Sequence, residues 1–226
     1  MTKNTKISIF LNYLIAFLSI LGVVLACLRA EKDGYSHWYK RLLYFTQQSN
    51  LWIGASCILT ALILQNEKRF TEYYQKTAYL LKYIFTVSIT VTGIVFCVLL
   101  APFADYDVWS FSSVLTHVVV PLLSILDFLT YRGKVALKKK QLPLTLIPPL
   151  YYVFFSIVLS ALEVDFGRGT TYPYVFLDFQ AEVGLFGFQN GDPPSIGTAY
   201  WLIVILLFIL AISYLYYRLH LARNQK

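Results

Sequence analysis

The sequence predicts an all-α polytopic membrane protein: six transmembrane helices in one bundle, with both termini cytoplasmic. Three observations predict it. The 226 residues are 58% hydrophobic with a mean hydropathy of +0.60, too apolar for an ordinary soluble domain. Six predominantly apolar stretches approach the ~20 residues that a helix needs to cross a bilayer. The 19 Lys and Arg residues divide 14 to 5 between the two sides when the N-terminus is placed inside, as the positive-inside rule expects.

The spans read as 7–28, 42–64, 78–102, 108–131, 142–162 and 196–217. They leave no stretch long enough for a separate soluble domain, so residues 1–226 form one multi-pass unit, placed in the cell membrane. The net charge of +7 is explained by topology and anionic lipid, and a nucleic-acid partner is not expected. Cys27, Cys57 and Cys97 all fall inside spans without metal-ligand spacing. Neither a disulfide framework nor a metal site follows, and no cofactor is implied. Val24 to Cys27 loosely resembles a lipoprotein cleavage site, but Leu25 is bulky where such sites prefer a small residue, so an uncleaved first helix is expected.

Span 1 is apolar apart from Asn12 and Ser19 and is expected at the bundle edge. A short external loop follows, whose His37 reads as a solvated side chain. Span 2 carries Thr46, Gln47, Gln48, Ser49 and Asn50 into the membrane, where polar groups must find protein or ligand partners. At ~100° per residue, Asn50 lies about 40° to one side of Thr46 and Ser49 about 60° to the other, forming one polar stripe. Interhelical hydrogen bonding is the plain reading of such a stripe. Span 3 places Thr86, Thr90 and Gly93 on one face, suited to close helix contact. A short acidic turn follows at 101–107.

Span 4 is the second informative helix. Ser113, His117, Pro121 and Ser124 share a face, with a kink expected at Pro121. His117 is the histidine deep within an apolar run, and a buried imidazole needs partners for both ring nitrogens. Asp127, further along, is expected to pair with Arg132 or Lys134. Span 5 opens with Pro143, Pro148 and Pro149 and carries Tyr152, Ser156, Ser160 and Glu163 on one face. The connection 163–195 holds five of the twelve acidic residues and is long enough to be functional or a lid. Its Tyr172–Asp178 part reads as rigid and interfacial, and Gly184–Gly191 as flexible. Span 6 is aromatic and apolar, with His220 expected at the interface.

Thr46 should lie roughly 7 Å and His117 roughly 12 Å below the outer boundary at ~1.5 Å per residue. At matched depth, an imidazole could take the proton of the threonine hydroxyl and make it a nucleophile. Asn50, Gln47 or Ser49 could supply donors to an oxyanion, and Ser113 lies on the histidine's own face. Ser49 is an alternative nucleophile. A site at this depth would receive a lipid ester sideways from the bilayer. No nucleophile elbow or zinc box is present.

The order Phe45-Thr46, His117 followed by Pro121, then Tyr172-Pro173 with Phe176-Leu177-Asp178 resembles the androgen-induced and androgen-dependent membrane proteins. Bacterial relatives of that family carry a Phe-Thr-x-x-Ser/Thr-Asn signature similar to Phe45–Asn50. The resemblance implies a six-span hydrolase of fatty acid esters of hydroxy fatty acids, with Thr46 as nucleophile and His117 as base. It adds Tyr172 and Asp178 to the substrate-binding candidates. The rival readings are a lipid acyltransferase using the same pair, or a non-enzymatic carrier or scaffold. Against a carrier, no internal repeat and no paired broken helices are evident.

Overall fold

With no water to satisfy a bare backbone, apolar runs of this length fold as helices. The computed structural model of the protein describes residues 3–103, 108–130, 135–190 and 195–224. Asp105 and Asp107 of the acidic turn, together with Arg132, Lys134 and Gly191, lie outside the described residues. The long helices are α1 (Lys3–Leu28), α2 (Phe45–Gln65), α3 (Glu72–Leu100), α4 (Phe111–Thr130), α5 (Lys139–Ala161) and α6 (Thr198–Asn224). Among the described residues, five of them, all but α2, are long and apolar enough to cross a membrane. α2 has the length, 21 residues, but the polar run Thr46–Asn50 dilutes its apolar character.

α2 is enclosed by α1, α3 and α4, and α1 also packs on α4, so these four make the inner bundle. α6 lies against α3 and the first turns of α5. α1 is therefore not a peripheral helix, and the expectation of an edge position is corrected: Ser8, Asn12 and Ser19 are all buried. The reason lies one turn inside the bundle. Lys82 donates to Asn12 Oδ1 (2.7 Å) and Cys57 Sγ (2.7 Å) and pairs with Asp127 Oδ2 (3.2 Å). Asp127 also accepts from Ser8 Oγ (2.7 Å) and Asn12 Nδ2 (3.0 Å). Four helices are thus clasped by one ion pair whose three ammonium hydrogens each meet an acceptor. Asp127 takes a charge partner from α3, while the partners expected from the sequence, Arg132 and Lys134, lie outside the described residues. Lys82, one of the 14 basic residues that the sequence assigns to the inner side, is buried in the bundle.

α3 and α4 meet at Gly93, where an added Cβ would lie 2.8 Å from the His117 carbonyl oxygen and 3.1 Å from the Pro121 ring. Only a bare Cα admits that approach. Pro121 cannot donate to the carbonyl four residues back, and the expected disturbance takes the form of a wide π turn over Leu115–Val119 just before it. In α5, Pro148 and Pro149 occupy the opening of the α-helical part, where no amide donor is required. Tyr152, Ser156 and Ser160 share its buried face, while Glu163 lies past the helix end and is exposed. His220 is also buried, accepting from Leu137 N–H at 3.2 Å while its Nδ1 meets Tyr79 OH at 2.9 Å. It is a structural link between α6 and α3, not an interfacial side chain.

On the side where α2 begins, the connection 162–197 folds over the connection 29–44. Ser36 N–H donates to Gly167 O (2.9 Å), Arg168 donates to Asp33 O (3.0 Å), and the Lys40 ammonium donates to Asp165 O. Partial burial pushes the Asp165 carboxyl up, but the amides of Gly167 and Gly169 and the Lys40 charge outweigh it and hold the group below the ordinary carboxylate value. Further on, β1 (Phe188–Gln189) pairs antiparallel with β2 (Ser195–Ile196).

Candidate functional site

α2 starts at Phe45, so the polar run occupies its first two turns, with Thr46, Gln47, Ser49 and Asn50 all buried. Thr46 Oγ1 stands 3.2 Å from His117 Nε2. The opposite ring nitrogen, Nδ1, lies 2.9 Å from the Ser113 carbonyl oxygen. A carbonyl only accepts, so Nδ1 carries the proton and the Nε2 lone pair faces the threonine hydroxyl. That is the tautomer a general base requires. Ser113 Oγ and Thr116 Oγ1 stand 3.1 and 3.3 Å from the same nitrogen. The Phe96 ring stacks on the imidazole at 3.7 Å between centroids, fixing its plane. Ser113 and His117 are one turn apart on α4, and the wide turn before Pro121 aims the ring at α2.

Thr46 also lines a cavity bounded by α2, α3, α5 and α6, with about 680 Å³ of space, mouth included. Its walls are mostly apolar, with Val91, Val95, Val153, Leu202 and Ile205 prominent, and Tyr174, Phe176 and Leu177 of the connection 162–197 complete them. His117 does not line it; the imidazole sits behind the hydroxyl. The geometry is that of a hydroxyl presented to an apolar space with a base at its back.

The Tyr174 hydroxyl accepts from Thr46 N–H at 3.5 Å. Burial, opposed by hydrogen bonds with Thr46 and Phe45 and reinforced by Tyr35, pushes its phenol up to about 12. It therefore stays protonated and has a hydrogen to donate. Its ring is held by Tyr44 (5.7 Å), Tyr152 (6.2 Å) and Phe176 (5.1 Å). Tyr152 OH donates to Leu43 O at 3.0 Å, tying α5 to the turn before α2.

The other candidates divide sharply. Asn50 spends both amide hydrogens on backbone carbonyls, Thr46 O (2.8 Å) and Thr116 O (3.1 Å). It joins α2 to α4 and has no donor left for an oxyanion. Ser49 donates to Thr46 O (3.1 Å) and meets Thr92 Oγ1 (3.0 Å), placing it against α3 and away from the imidazole. Gln47 is buried with its Oε1 unpartnered and does not line the cavity. Ser113 serves the histidine. Tyr172 and Asp178 are outside the cavity wall. The Tyr172 carbonyl accepts from Thr170 (3.0 Å), and Asp178 accepts from Gln180 N–H (3.0 Å) and through its carbonyl from Thr198 (2.8 Å), fastening the connection to α6.

Sequence reasoning missed Tyr174 and Phe96. Tyr174 is two residues from Tyr172 across Pro173, and nothing in a Tyr-Pro-Tyr triplet distinguishes the ring that turns inward. Phe96 is one of 17 phenylalanines and carries no local signal. Compared with protein-family models, with curated proteins and with solved structures, the chain matches none.

Proposed function

We propose that the chain is an intramembrane lipid ester hydrolase with Thr46 as nucleophile and His117 as general base. The observation that carries this reading is the 3.2 Å contact between Thr46 Oγ1 and the unprotonated Nε2 of His117, at the wall of an apolar cavity. In the reaction, His117 Nε2 takes the hydroxyl proton as Thr46 Oγ1 bonds to the ester carbonyl carbon. The resulting oxyanion is stabilised by the Tyr174 hydroxyl and by the Thr46 amide at the start of α2, where the helix dipole favours negative charge. Collapse breaks the ester C–O bond, and His117 returns its proton to the leaving alkoxide. Water then attacks the acyl-threonine with His117 again as base, releasing a fatty acid and restoring the hydroxyl.

The same reading makes α2 a sixth span, its polar turns tolerated because neighbouring helices satisfy them. Both termini are then cytoplasmic, by the basic asymmetry, and the cavity opens to the outer leaflet of the cell membrane. Substrates are fatty-acyl esters arriving laterally, in line with the resemblance carried by Phe45-Thr46 and His117. Labelling with a long-chain fluorophosphonate, mapped by peptide mass spectrometry, tests it. The adduct is expected on Thr46, absent in Thr46→Ala and retained in Ser49→Ala. Absence of any adduct and of ester turnover in the native membrane would leave Thr46 and His117 as a structural pair in a scaffold or carrier.

A further inference from the structure

The connection 162–197 exposes large apolar side chains: Leu185 is 48%, Phe186 70% and Phe188 65% exposed. These residues are not on a free arm. Leu185 O accepts from Ala199 N–H (3.0 Å) and Gly187 O from Gly197 N–H (2.9 Å), so the segment is fastened to the first turn of α6. A Cβ at Gly197 would lie 2.2 Å from Leu185 O, so the approach needs glycine there.

The attachment point identifies the partner. Tyr200, Ile203, Val204 and Leu207 are all exposed on α6, spaced i, i+3, i+4 and i+7 on one face. On a helix that crosses a bilayer this stripe faces acyl chains. The Phe186 ring meets the Tyr200 ring edge-on at 6.4 Å, extending the stripe past the end of the helix without a polar break. Aromatic residues at such a boundary favour the interface between headgroup and acyl chain.

We propose that Leu185–Phe188 is a membrane-inserting segment, seated in the leaflet where α6 begins and bound to its lipids. Insertion is apolar, not electrostatic. Described charges in this connection are acidic at Glu163, Asp165, Asp178 and Glu182, against Arg168 alone, which disfavours attraction to anionic lipid. Zwitterionic lipid is therefore sufficient. Two residues beyond Tyr200, Leu202 lines the cavity, so the segment is planted beside the cavity wall. The inference rests on α6 spanning the bilayer and is independent of the esterase chemistry.

Nitroxide labels at Phe186→Cys, Phe188→Cys, Glu182→Cys and Leu207→Cys, each in a chain with Cys27, Cys57 and Cys97 replaced by Ala, test it in phosphatidylcholine vesicles. At positions 186, 188 and 207, dissolved oxygen is expected to relax the label several-fold more than a water-soluble nickel chelate. The order should invert at position 182. Nickel accessibility at 186 and 188 matching that at 182, with 207 still lipid-exposed, overturns the inference. Nickel accessibility at 207 as well would instead remove α6 from the bilayer and the inference with it. Immersion appearing only with anionic lipid also overturns it. Should a labelled chain not fold, p-benzoylphenylalanine in place of Phe186 keeps the ring. Irradiation is then expected to add phosphatidylcholine to the chain, and a lipid-free product refutes the proposal.

Discussion

Replacing Tyr174 by phenylalanine separates the oxyanion role given to this residue from the one expected of Asn50. The substitution removes one hydroxyl and leaves the ring contacts with Tyr44, Tyr152 and Phe176 intact. The lost bond, 3.5 Å to Thr46 N, is long, so the stability cost should be at the lower end of about 0.5–1.5 kcal/mol. Removing an oxyanion donor costs about 10²–10³ in kcat, and the Thr46 amide remains, so about 10² is expected with KM little changed. Turnover of a long-chain p-nitrophenyl ester in proteoliposomes measures this, with thermal unfolding of the same sample as control. The pH dependence has a definite sign. Because the phenol is raised above its ordinary value to about 12, the donor persists through pH 10 and is lost only as pH rises through its folded value. A Tyr174→Phe variant within about threefold of the parent in kcat would refute the assignment. Asn50→Ala should do the opposite, sparing kcat but costing about 0.5–1.5 kcal/mol of stability for each of its bonds to Thr46 O and Thr116 O.

In the proposed reaction Thr46 and His117 act as one unit, so Thr46→Ala, His117→Ala and the double variant should lose activity to about the same residual level; additive losses would separate their roles. Lys82→Met leaves the Asp127 charge buried and unpaired and should cost about 3–5 kcal/mol. Lys82→Met with Asp127→Leu should recover most of that, read by reversible unfolding in mixed micelles, whereas costs that merely sum would refute the clasp. Asp165, held below its ordinary value of 3.8, contributes stability that is complete above that value and lost as pH falls through its folded one. Pepsin cleavage near residues 29–44 and 162–170 should therefore rise only in stronger acid, and Asp165→Asn should abolish the dependence.

Hydropathy alone located the helices, because a bilayer dictates both helix and length. The stretches read at 42–64 and 108–131 are helices over Phe45–Gln65 and Phe111–Thr130. Ends shift by a few residues because a helix continues past the hydrocarbon into polar sequence, as at Glu72 and Asn224. Thr46 and His117 were legible because polar groups are rare at depth and their spacing from the span ends gave a matched level. What surrounds them was not. Whether Asn50 donates to a substrate or to Thr116 O, and whether Ser49 faces His117 or Thr92, depends on the rotation of α2 against α3 and α4. That rotation is set by packing, including the bare Cα of Gly93 against the His117 carbonyl. Tyr174 and the Lys82–Asp127 pair join positions 128 and 45 residues apart from their partners. Periodicity reports which face a residue occupies on its own helix, while a hydrogen bond between helices needs the faces of both, and those are decided only when the bundle closes.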